Sequence, residues 1–210
     1  GLRLRLARRN VRFQAELGGK NATVVLADAD LDAAVTGVVA AAFGQAGQRC
    51  TATSRVLVDR AVHDVFVKLV LDRLDLLRLG DGRDQATTMG PLVSQGHRER
   101  VLAMIQQAQD DGADLLSGGG APSDRALAPG CFVEPTLLSG VTPDMDIWRR
   151  EVFGPVVVVR AVDGLDEAIA AVNDSDFGLA AAVFTTSLAS TYRFVDEVEC
   201  GQVAVNTTTS

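Results

Sequence analysis

Residues 155–185 read PVVVVRAVDGLDEAIAAVNDSDFGLAAAVFT. Pro155 to Val162 is the clearest buried strand in the chain, a β-branched run with a single charge. Leu165 to Val172 places apolar residues at helical spacing, and Ala181 to Thr185 is again a short apolar run. Strand, helix and strand alternate within about thirty residues, the pattern of a mostly parallel sheet with helices on its faces. The same alternation extends outward in both directions. Upstream, Thr23 to Leu26 reads as a buried strand, with Asp28 and Asp30 as caps for a helix over Leu31–Phe43. Arg55–Val58 is a short strand, Val62–Leu77 an amphipathic helix and Leu79–Leu92 a loop. Gln95–Gly112 is a helix and Ala113–Leu116 a strand. Phe132–Leu138, broken by Pro135, is an edge or irregular strand. Downstream, Ser190–Val198 is a helix and Gln202–Val205 a strand. The fold class is therefore α/β: an open, mostly parallel twisted sheet with helices on both faces. In such sheets ligands collect beyond the carboxyl ends of the strands, so the loops there, and the loop carrying Cys50, are the places to search.

Composition removes several function classes. The chain has 210 residues, 47% hydrophobic and 22% charged, with 27 acidic against 20 basic side chains and a formal net charge of −7. That balance argues against phosphate-neutralising contact with nucleic acid and against adhesion to an anionic membrane. No apolar run is long enough to span a bilayer. The first residues, GLRLRLARRN, are too rich in Arg for a signal peptide, and the absence of an initiating Met points to a piece of something longer. Three widely spaced cysteines, Cys50, Cys131 and Cys200, do not form a disulfide framework, and a cytoplasmic location is expected. No zinc-ligand spacing occurs, so no metal is expected.

Cys50 lies in Gly47-Gln48-Arg49-Cys50-Thr51-Ala52. A lone cysteine is usually a small buried residue, but these neighbours are not core company. The glycines allow a sharp turn and a close approach. A helix beginning just after Cys50 would lower its thiol pKa and hold an oxyanion. Cys131 and Cys200 read as packing residues. A nucleophilic cysteine needs a base, yet His63 and His97 both read as surface residues, so a Cys–His hydrolase lacks support. On spacing alone, Glu16 before Gly18-Gly19 is a solvated residue in a tight turn. Glu151, before Phe153-Gly154-Pro155, also reads as part of a turn. No GxGxxG or Walker motif is present.

Taken together, ELGGK at 16–20, GQRC at 47–50 and EVFGP at 151–155 resemble the aldehyde dehydrogenase superfamily. Lys20-Asn21 running into Asp28–Asp32, Met89–Leu92, Phe132–Thr136, Asn173 through Ala180, and Gly201–Asn206 add to the likeness, which spans nearly all of 14–206. The resemblance implies a truncated catalytic domain over 18–210. Residues 1–17, with Leu2–Asn10 as a last helix, would be the remnant of an NAD(P)-binding domain; most of that domain and the family's C-terminal tail are lacking. It implies NAD(P)-dependent oxidation of an aldehyde or semialdehyde to a carboxylic acid. Cys50 would be the nucleophile and Glu16 the general base. Glu151 would accept from the nicotinamide ribose, Phe153 would pack near the nicotinamide, and the Leu17 carbonyl would orient its carboxamide. The cofactor would be NAD or NADP, bound mainly by the absent domain, and the full-length form a homo-oligomer acting on a small-molecule aldehyde. GQRCTATSR is most like bacterial semialdehyde dehydrogenases, such as those acting on α-ketoglutarate semialdehyde. The alternative is a non-catalytic domain fragment that self-associates and has at most weak thiol esterase activity.

Overall fold

The computed structural model describes residues 2–7, 9, 11, 12 and 14–209, with Leu2 and Arg3 described in backbone only. Asn10, the expected end of the first helix, lies outside them; α1 covers Leu2–Leu6. Seven strands follow: β1 Asn21–Val25, β2 Thr53–Asp59, β3 Asp114–Ser117, β4 Thr136–Ser139, β5 Val156–Val162, β6 Ala180–Phe184 and β7 Gln202–Val205. They form one sheet in the order β3-β4-β5-β2-β1-β6-β7. All neighbours pair in parallel except β3 with β4. The expected mostly parallel α/β sheet is therefore present.

Side-chain alternation decides which helix covers which face. On β2, Val56 packs with Val38 and Phe43 of α2 (Leu31–Phe43) and with Phe66 and Val70 of α3 (His63–Leu74). Its neighbour Arg55 points the other way, to α6 (Gly164–Asn173). A period of two puts successive residues on opposite faces, so helices lie on both. Asp30 caps α2 by accepting from Ala33 N–H, and Ser94 caps α4 (Gln95–Asp110) through His97 N–H. The remaining helices are α5 (Asp146–Arg149) and α7 (Leu188–Glu197).

Three sequence expectations change. The Pro135 strand is not an edge strand: β4 lies between β3 and β5, with Pro135 just before it, where no ladder donor is needed. Helix α3 stops at Leu74. The short α5 was not foreseen, because four residues carry too little periodicity to register.

Arg55 ties α6 and the segment ahead of β1 to β2 on one face of this sheet. It is 2% exposed, donates through Nε to the Lys20 carbonyl at 3.0 Å, and through its two terminal nitrogens to the Ala171 and Val172 carbonyls at 2.8 and 3.1 Å. The last two belong to the C-terminal turn of α6, where carbonyls lack helical partners and a cation is favoured. The guanidinium also stacks over Trp148, 5.1 Å from the ring centre. Burial lowers its pKa to about 10, with Asp174 opposing, so it stays charged near neutrality. Lysine has no planar fork to reach three carbonyls. Arg55→Lys is expected to cost about 2 kcal/mol, the scale of leaving buried acceptors unpaired. Urea unfolding measures this, and unchanged stability would remove the role.

Candidate functional site

The three segments singled out in the sequence meet at the amino ends of the central strands. ELGGK leads into β1, GQRC into β2 and EVFGP into β5. This reverses the expectation drawn from parallel sheets, which pointed to the carboxyl ends. At that opposite end Asp28 bridges the turn after β1 and the turn after β6. Its carboxylate accepts from the Thr185 hydroxyl at 2.7 Å, and from the Thr186 N–H at 2.9 Å and hydroxyl at 2.8 Å. Burial works against its ionisation, but these donors outweigh it and hold the pKa below the usual carboxylate range.

Backbone contacts bring the three segments together. Asn21, 3% exposed, donates through Nδ2 to the Cys50 carbonyl at 2.8 Å and the Ala52 carbonyl at 2.9 Å, while its Oδ1 accepts from Ala180 N–H at 3.1 Å. One side chain thus joins the starts of β1, β2 and β6. A side chain on Gly19 would collide with the Cys50 carbonyl, and the Gly19 N–H donates to Glu151 Oε1 at 2.9 Å. Before Cys50 the chain passes through three consecutive left-handed residues, Gln45, Ala46 and Gly47, with φ of 53, 54 and 69°. At Gly47 a Cβ would meet the Gly154 carbonyl, so this turn needs glycine for both its torsion and its neighbour.

Cys50 itself is exposed. No helix begins after it: a turn closed by Ala52 N–H to the Arg49 carbonyl at 3.1 Å leads into β2. The expected helix N-terminus is therefore absent, and any oxyanion donor from this segment is a turn amide. Gly19, Arg49, Thr53, Ser54, Glu151 and Phe153 line a narrow cleft here. Glu151 is half-buried. Glu16 is exposed and accepts from the Gln14 side chain, and Leu17 is 77% exposed. Phe153 is 38% exposed, with φ of 55°.

Neither histidine is placed to activate Cys50. His63 opens α3, beyond the far end of seven-residue β2, which spans roughly 20 Å. His97, expected at the surface, is 6% exposed, with both ring nitrogens engaged by Phe153 and Arg100. Cys131 and Cys200 are half-buried, and burial raises the Cys200 pKa, with Arg55 opposing and Glu199 reinforcing.

Comparison with known proteins accords with this geometry. The family described as the aldehyde dehydrogenase family matches residues 4–210. The chain belongs to the aldehyde dehydrogenase family. It is 43% identical over 192 residues to a betaine aldehyde dehydrogenase of Rhizobium johnstonii, covering 91% of this chain and 39% of that one. It is 46% identical over 199 residues to an α-ketoglutarate semialdehyde dehydrogenase of Haloferax volcanii, covering 95% and 41%. A crystal structure of a Staphylococcus aureus betaine aldehyde dehydrogenase variant, in complex with NAD+ and with one cysteine modified by BME, superposes with a TM-score of 0.90 at 38% identity. That match covers 92% of this chain and 39% of the other. The chain thus spans about two fifths of the length of these relatives.

Sequence reading missed Asn21 as a clamp, although it directly follows the Gly-Gly-Lys run. It also missed Lys20, which is buried with its pKa lowered to about 7 by burial first and by Arg55 second, while Glu151 opposes. An amine with a depressed folded-state pKa binds fewer protons folded than unfolded between about 7 and its ordinary value of 10.5. Its contribution to stability therefore rises with pH across that window and is flat below it. Lys20→Met is expected to remove this part of the slope. Denaturant unfolding of both proteins from pH 6 to 10 tests it, and parallel profiles would contradict it.

Proposed function

We propose that this chain is the nucleophile-bearing part of an enzyme that oxidises an aldehyde or semialdehyde to a carboxylic acid with NAD(P)+. The observation that carries the reading is the exposed Cys50 in a turn whose backbone is fixed to both the Gly-Gly segment and the start of β6. In this reading residues 1–17 close a cofactor-binding domain and 18–210 form the catalytic domain.

The residues at the cleft suit a nicotinamide nucleotide. The Glu151 carboxylate is anchored by Gly19 N–H on one oxygen, which orients the group to accept from vicinal ribose hydroxyls. Phe153 offers a partly exposed ring beside it, and the exposed Leu17 segment places a carbonyl nearby in sequence. When bound, NAD(P)+ supplies the hydride acceptor. The chain's own residues do the rest. Cys50 sulfur, as thiolate, attacks the aldehyde carbon and forms a thiohemiacetal, with a turn N–H stabilising the oxyanion. Loss of hydride turns this into a thioester. Glu16 takes a proton from water as that water attacks the thioester carbon, releasing the acid and the thiolate.

The relatives' names support betaine aldehyde or a 2-oxo semialdehyde as the substrate class. Among the described residues no helix is long and apolar enough to cross a membrane, and the three cysteines are free, which accords with a reducing, cytoplasmic setting. Leu188, Tyr192 and Val195, exposed along one face of α7, support a homo-oligomer.

The 210-residue chain alone gives no aldehyde-dependent NADH formation, because the described residues offer contacts only to the nicotinamide end of the cofactor, too few to hold it within bond-forming distance of Cys50. Under limiting iodoacetamide it is still alkylated at Cys50 before Cys131 and Cys200, as peptide mapping would show; equal labelling of the three would count against the nucleophile. A chimera carrying this chain in place of the matching segment of the Rhizobium johnstonii relative is expected to oxidise betaine aldehyde or α-ketoglutarate semialdehyde. Cys50→Ser abolishes that activity. Glu16→Gln keeps a first-turnover burst of NADH while steady-state turnover drops by about 10²-fold or more. A chimera that folds and turns over neither aldehyde would sink the proposal.

A further inference from the structure

We infer that His97 is a positioning residue for Phe153, fixing the backbone on which the cofactor-facing ring stands; this rests on the reading of Phe153 given above. His97 sits in the first turn of α4, and its imidazole reaches the loop ahead of β5. Nε2 lies 2.6 Å from the Phe153 carbonyl oxygen, and Nδ1 lies 2.6 Å from a terminal nitrogen of Arg100. A carbonyl only accepts and a guanidinium only donates. The two partners together therefore specify the neutral tautomer with its hydrogen on Nε2. The ring also packs against the Phe153 ring, 6.3 Å between centres at 53°.

Phe153 needs such a partner. Its φ of 55° is a left-handed conformation that a bulky residue leaves readily. Without a donor, its carbonyl would be free to swing, taking the ring with it. The contact also propagates. Val101, one turn along α4 from His97, abuts Gly154, and the Gly154 carbonyl abuts Gly47, three residues before Cys50. One face of α4 thus bears on both the cofactor-facing loop and the nucleophile turn. Gln48 adds a second tie, accepting from Val93 N–H at 2.9 Å just ahead of the helix.

The test separates a hydrogen-bond role from simple space filling. His97→Gln keeps a donor near the Nε2 position, His97→Leu fills the space without one, and His97→Asn, whose amide is too short, replaces the Leu variant if that does not fold. In the 210-residue chain, long-range proton–nitrogen NMR is expected to show hydrogen on Nε2 and none on Nδ1. Amide exchange over 152–154 should rise about tenfold or more in the Leu or Asn variant and stay near wild type in the Gln variant. In the chimera, the donor-less variant should raise KM for NAD+ by about tenfold with KM for the aldehyde unchanged, and Gln should restore it. A hydrogen on Nδ1, or a Gln variant no better than Leu or Asn, overturns the inference. An inactive wild-type chimera overturns the dehydrogenase reading instead, while the tautomer and exchange results still decide the role of His97.

Discussion

The carboxamide of Asn21 is the contact on which the arrangement of this site depends. It offers two N–H donors and one acceptor from a single short stem, and all three are used on backbone groups of neighbouring segments. Aspartate would set a carboxylate against two carbonyl oxygens. Leucine would leave the acceptors and the Ala180 N–H without partners in a buried place, where each unpaired group costs about 1–3 kcal/mol. The position of Cys50 follows from this contact, because its own carbonyl is one of the two held. Gly19 then lets the chain pass against that carbonyl. The Cys50 side chain is exposed, but the peptide carrying it is fixed.

Placement at the amino ends of the strands follows from the same economy of contacts. A strand that begins a parallel pairing leaves N–H groups near its start without ladder partners, and Gly19 N–H is used by Glu151. The carboxyl ends of β1 and β6 are closed by the Asp28–threonine network. The rule placing ligands at carboxyl ends describes sheets whose own loops cradle the ligand. Here the three motif segments enter the strands, so they lie at the opposite end.

Much of this was legible in the sequence, and for physical reasons. All seven strands were found, most of them because buried parallel strands write themselves as apolar runs such as residues 156–159; the exposed, antiparallel β3 was read only as the short run after Gly112. Helix α2 was found to the residue because Asp30 marks its start and a glycine its end. The site segments were recognisable as motifs, yet their supports were not. Asn21, Arg55 and His97 act through backbone carbonyls distant in sequence, by 29, 116 and 56 residues. Periodicity carries no trace of such pairings. His97 was misread because a polar run such as QGHRE looks solvated, although its third position turns inward between Phe153 and Arg100.

The structure therefore divides the residues discussed above into two groups by burial. Cys50, Glu16 and Leu17 are exposed and have few contacts to lose, so substitution there has little effect on folding. Asn21, Lys20, Arg55 and His97 are buried and bind backbone or bear charge out of water, so substitution there acts first on stability and on the shape of the cleft. Glu151 and Phe153 belong to neither group. Each is partly exposed, and each is held from behind, one by Gly19 N–H and the other by the His97 ring. A side chain that must meet a ligand in one orientation, while staying open to it, needs a buried partner on its far side, and these two are the ones that have it.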